Sequence, residues 1–168
     1  MDIPAVALLL AGFTLAHAIW SVSDTKPDEL LVPLVIVEHD GQRSLQRFEA
    51  ATQLEAITAA KAATTKLIDA SSAWTFAREG SVQVPAPGQI ARDVISVDVW
   101  ARGMTTPVTI MQQFERASAS HGFRIIGAPM MTVGGTQLGD VDAEPHLTTI
   151  KRGIMSHAKA GPLWDTWK

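Results

Sequence analysis

Glu38, His39 and Asp40 stand side by side next to a glycine, and side chains of these types hold divalent cations when they converge. Consecutive residues at a strand end point in opposite directions, so this trio reads instead as a solvated turn. Asp140, Asp142 and Glu144 alternate in the manner of a calcium loop, but Pro145 stands where such a loop needs glycine. Lys151 stands where it needs a bidentate glutamate. The same acids suit the positive end of a helix opening at Pro145. His146 and His157 fall on one face of that helix, yet about 16 Å apart along its axis, too far to share an ion. The absence of cysteine removes disulfides, thiolate metal sites and thiol nucleophiles. Neither a metal nor a cofactor is expected, and no catalytic residue can be named, because nucleophile-elbow, zincin and phosphate-loop patterns are all missing.

The remaining candidates concern binding. Trp74, Phe76 and Arg78 alternate along a strand, so an arginine shares one side with two aromatics, a pairing that clamps anionic ligands or merely extends into water past the core edge. Gln112 falls on the apolar side of another strand, where it must either find a hydrogen-bond partner or line a pocket. Trp164 and Trp167 lie in the last six residues and are costly to leave in water; the tail is expected to dock on its own body, or otherwise on a partner.

The elements that must position these residues centre on a meander. Val94 to Ala101 alternates so that Ile95, Val97 and Val99 share one face. Val108, Ile110, Gln112 and Phe114 do the same in the next strand, and Phe123 to Met130 follows as a third. The apolar faces coincide if Val99 pairs with Val108, Val97 with Ile110 and Ile95 with Gln112. Before the meander, Pro4 to Trp20 predicts an apolar helix with a large stripe of Val6, Leu10, Phe13, His17 and Trp20. A small stripe of Ala5, Gly12 and Ala16 would let it approach a sheet. Such a helix needs two partners: a sheet and another helix, or a sheet and a second copy of the chain. His17 is expected as a satisfied core histidine. A secretory leader is disfavoured by Asp2 in place of a basic start, and a membrane span by marginal length and His17.

Leu31 to Val37 and Ser44 to Glu49 predict a hairpin about Asp40-Gly41. Thr52 to Asp69 is a helix opened by a capping box, with Leu54, Ile57, Lys61, Thr64 and Ile68 as its stripe. Ala73 to Glu79 is a strand, and Ser81 to Gln89, rich in proline, a loop forming a mobile rim. Gly134, Gly135 and Gly139 mark a flexible connection. The last helix runs from Pro145 to about Lys159, with Leu147, Ile150, Ile154 and Ala158 inward. The sum is one α+β domain over 1–168, a mainly antiparallel sheet of five to six strands in the order α-ββ-α-ββββ-α, with helices packed against it.

The formal net charge of −3 is spread over both signs, so no nucleic-acid footprint is expected. Freedom from cysteine is compatible with a reducing cytoplasm, the expected compartment. Two functions suit this pattern. The first is a non-enzymatic protein-interaction module of inhibitor, immunity or adaptor type, with a homodimer as one form of it, motivated by the surplus apolar surface of the first helix and the double-tryptophan tail. The second is a small-molecule-binding protein or hydrolase, with a pocket between sheet and helices lined by Gln112, Trp74 and Arg78. A clean monomer in light scattering, with the first helix and the tail both buried within the chain, would remove support for the first; a sheet face packed solid would remove the second.

Overall fold

The computed structural model describes residues 2–83, 88 and 91–168. Most of the expected loop at 81–89 therefore lies outside the described residues, while Ser81 and Val82 close a strand. In chain order the elements are α1 (Ala5–Ser23), β1 (Leu34–His39), β2 (Gln42–Arg47), α2 (Gln53–Leu67), β3 (Ala73–Val82), β4 (Arg92–Ala101), β5 (Val108–Glu115), β6 (Arg124–Val133), β7 (Thr136–Gln137) and α3 (Asp140–Met155). A 3-10 helix over Gly161–Trp167 follows.

All strands join one antiparallel sheet in the order β2-β1-β3-β4-β5-β6-β7. The α+β class and the order of elements are as expected, but the sheet has seven strands rather than five to six. The added strand is β7: Gly134 and Gly135 take φ of 57° and 82°, which turns the supposed flexible connection into a tight hairpin. The meander has the expected register, with Val99 opposite Val108, Val97 opposite Ile110 and Ile95 opposite Gln112. A one-residue slip would have sent every one of those valines to the other side.

The two faces of the sheet are covered differently. On the inner face α1 lies across β3 and β4, with α3 packed closely against α1. This explains why α1 is apolar all round: it has a sheet beneath it and a helix above it. By length and composition α1 could cross a membrane, yet 61% of its most apolar window is buried inside the fold. Thr14 Oγ1 lies 2.6 Å from Thr75 Oγ1 on β3, so the sheet-facing side is the one carrying Ala7, Ala11, Thr14 and Ala18. The small stripe at Gly12 therefore meets α3 and not the sheet, contrary to expectation. A Cβ on Gly12 would lie 2.0 Å from the Ile150 carbonyl oxygen, and one on Gly153 would lie 2.2 Å from that of Leu9. The helices thus cross backbone to backbone at two glycines.

On the outer face α2 rests on β1 and β3 over a small core of Val35, Ala60 and Phe76. Its capping box forms as expected, with Thr52 Oγ1 accepting from the Glu55 N–H. Its buried positions, however, are Ala56, Ala60 and Thr64, and Leu54 is 73% exposed. Alanines bring the helix close, and the wider side chains fall to its flanks.

The last helix also departs from expectation. It opens at Asp140, with Gly139 as its N-cap, and Pro145 sits inside it. The proline removes only the bond to the carbonyl of Val141, a residue 88% exposed and open to water. The helix ends at Met155, not Lys159, where the His157 N–H turns back to the Ile154 carbonyl. In consequence Ala158 points outward and His157 is buried.

Candidate functional site

The candidate site begins with an irregularity between β5 and β6. Their pairing is regular from Val108 to Met111, then shifts before Gln113, which leaves Gln112 outside the ladder. Its side chain is fully buried on the inner face, beside Ile110 and Phe114. The Gln112 amide bridges the irregularity: Nε2 donates to the carbonyls of Gln113 at 3.1 Å, Ile126 at 3.1 Å and Gly127 at 3.2 Å. Gly127, with φ of 69°, makes the local turn of backbone possible. The amide oxygen is left over. It is buried and accepts no hydrogen bond from any described residue.

Gln112 lines a cavity of about 520 Å³ between β6 and α3. Its walls are arranged in two tiers. Ile125 from β6, Ile150 and Ile154 from α3, and Trp164 from the 3-10 helix are all buried and form an apolar floor around Gln112. Glu144, Thr148, Lys151 and Lys168 are exposed and form a polar rim. Leu147, Ile150, Lys151 and Ile154 recur at the spacing that puts them on one helical face. The wall at Trp164 is anchored by aromatic packing: Trp164 to Trp167 at 6.3 Å, Trp167 to Phe123 at 5.5 Å, and Phe123 to Phe114 at 5.7 Å. At the rim, Lys168 pairs with Asp165 at 2.5 Å and holds that carboxyl below its ordinary range.

The structure separates residues that the sequence analysis placed together. Trp74 and Arg78 lie on the outer face, because Thr75, Ala77 and Glu79 are the β3 residues that register with Val99, Val97 and Ile95. They cannot share a pocket with Gln112. Arg78 is already engaged, donating from Nη1 to Asp98 Oδ2 at 2.6 Å and lying over the Phe76 ring, and the other Asp98 oxygen accepts from Thr109. Trp74 stacks on Trp100 and borders a smaller cleft of about 380 Å³. The tail, by contrast, docks on its own body, with Trp164 buried and Trp167 half-buried.

One cluster had no signal in the sequence. His17 Nδ1 and His157 Nε2, 140 positions apart, lie 3.0 Å from each other. The Lys159 and Ala160 backbone N–H groups donate to His157 Nδ1, so its proton belongs on Nε2 and points at His17. Burial, His157 and the nearby Arg47 lower the His17 pKa to about 4, and burial lowers that of His157. A pair in this tautomer has no lone pair to offer a metal at Nε2, and among the described residues no group of three metal-ligating side chains occurs. The Glu38-His39-Asp40 turn likewise leads into solvent.

Comparison with protein-family models, with curated proteins and with solved structures gives no match, so the reading of this cavity rests on its own chemistry.

Proposed function

We propose that this chain is a small-molecule-binding protein whose site is the cavity between β6 and α3. The observation that carries this reading is a cavity of about 520 Å³ with an apolar floor beneath a polar rim. Ligand sites are commonly concave and mostly apolar, with few polar groups to orient the occupant. Among the described residues that line the cavity, no nucleophile is paired with a base, which favours binding over hydrolysis. The alternative, a protein-interaction module, has less apolar surface to draw on, because α1 packs largely inside the fold and the tail docks with Trp164 buried and Trp167 half-buried.

Thr148 is exposed on the rim, so Thr148→Trp would obstruct the mouth without touching the core. Titration with the apolar dye 1-anilinonaphthalene-8-sulfonate is expected to saturate at one site in the wild type and to weaken at least about tenfold in the variant, with an unchanged melting temperature. Equal dye binding by both proteins, or none by the wild type, would remove the reading.

A further inference from the structure

We infer that His17 and His157 form a proton-sensitive latch, which holds the segment from Ser156 to Trp167 against α1 at neutral pH and releases it when acid protonates either ring. The inference goes beyond the cavity reading and stands whatever the cavity binds.

Hydrogen bonding leaves the neutral pair one arrangement. The Lys159 and Ala160 N–H groups donate to His157 Nδ1 at 3.3 and 3.0 Å, so this ring carries its proton on Nε2 and donates to His17 Nδ1 at 3.0 Å. His17 then carries its own proton on Nε2. Both nitrogens that could take a further proton are therefore already acceptors. A proton on His157 Nδ1 would face two backbone N–H groups, and one on His17 Nδ1 would face the His157 Nε2–H. Either event breaks the contact between α1 and the turn after α3.

The surroundings add no compensating anion. From β2, Arg47 Nη2 lies 3.4 Å from His17 Nε2, and Arg43 lies over the Phe13 ring with its guanidinium paired to Glu38 of β1. Phe13 and Trp20 of α1 pack their rings against the pair, and Lys159 in the turn is exposed. Burial lowers the pKa of both rings, and the charges that lower that of His17 further belong to His157 and Arg47, both cationic groups. The docked segment thus favours the neutral pair. That preference is complete above pH 6.5 and is lost as pH falls toward about 4.

The turn passes the effect to the rest of the segment. The His157 carbonyl accepts from the Gly161 N–H at 2.9 Å, and the 3-10 helix that starts there carries Trp164, one wall of the cavity. Undocking would take that wall away.

Native-state amide exchange of the whole protein, followed by NMR from pH 7 to pH 4 and corrected for the intrinsic rate at each pH, measures the opening. Protection at Ala160 and Gly161 is expected to fall about 10- to 100-fold, with a midpoint that tracks the imidazole signals of His17 or His157. It should also stay below the protection of Val97 and Ile110 in the central strands. His157→Asn keeps an acceptor near the place of Nδ1 but does not titrate in this range, so it should remove most of the fall. His39→Gln, at an exposed turn, should leave the fall intact. Constant protection, a midpoint that follows His39, His121 or His146, or a full fall surviving in His157→Asn would overturn the latch. So would equal protection at Ala160 and Val97, since the segment would then leave only when the whole fold opens. If His157→Asn does not fold, the wild-type midpoint and His39→Gln decide, and a fall abolished in His39→Gln would also overturn it.

Discussion

Arg78 and Glu79 are neighbours on β3, and each forms an ion pair, yet the two pairs inhabit different solvents. Arg78 meets Asp98 on the outer face, where the side chains remain 24% and 29% exposed. Glu79 meets Arg116 at the inner face's end, where they are 2% and 9% exposed. The buried arginine donates to both carboxylate oxygens, at 2.7 and 2.9 Å, and also to the Glu29 carbonyl, while the Leu31 N–H donates to the carboxylate. This second pair ties the segment after α1 to β3 and to the residue following β5. Glu79 raises the Arg116 pKa chiefly through that hydrogen bond, and burial followed by the Glu79 charge raises that of Asp93. One residue's step along a strand thus separates a solvated ladder from a dry interior. The cavity lies on the inner face, with buried residues at its floor and exposed ones at its rim.

The contrast can be broken most severely at the buried pair. Glu79→Ala would leave Arg116 without its main partner, and we expect a loss of about 3–5 kcal/mol in urea unfolding. A loss below about 1 kcal/mol would mean that water reaches the site as freely as it reaches Arg78. Next comes the helix crossing. Gly153→Ala places a methyl against the Leu9 carbonyl, a backbone atom that cannot swing aside, and we expect destabilisation of about 3 kcal/mol or failure to fold. An unchanged melting temperature would contradict the backbone contact of α1 with α3.

The histidine pair should yield a smaller, pH-dependent effect. The folded pKa of His17, about 4, lies below the unfolded value of 6.5, so the unfolded chain binds more protons between these limits. The stabilising preference for the neutral form is complete above pH 6.5 and is lost as pH falls toward 4. Discounted for the partial exposure of His17, the loss is about 1–2 kcal/mol. The stability of His17→Gln should fall less over that interval, and parallel curves for variant and wild type would show that the pair does not titrate with folding. The smallest effect belongs to the outer pair: Arg78→Ala should cost about 0.5–1 kcal/mol and weaken with added salt, as expected for charges near water. A salt-independent loss of several kcal/mol would erase the distinction between the two faces.

Local patterns carried a large part of this architecture. Alternation in β4 and β5 set which valines face inward, and that parity together with the short connection over 102–105 fixed the register. The capping box at Thr52 and the Asp40-Gly41 turn involve residues within four positions of one another, so chain-local chemistry decided them. Gln112 was legible as a polar residue on an apolar face for the same reason. Parity within β3 could not say which of its faces matched that of β4. The placement of Trp74 and Arg78 away from Gln112 emerged only when Ala77 paired with Val97.

Contacts between distant segments were decided by packing alone. Gly12 was visible as a small residue, but that its counterpart would be Gly153 depended on α1 finding α3 above it. The meeting of His17 with His157 depended in turn on that crossing. The cavity arises likewise from where α3 and Trp164 come to rest over β6. Periodicity reports the direction of each side chain relative to its own backbone, and its information ends there. Which surfaces then meet is settled by the joint burial of the whole chain, a sum over pairs that no single segment contains.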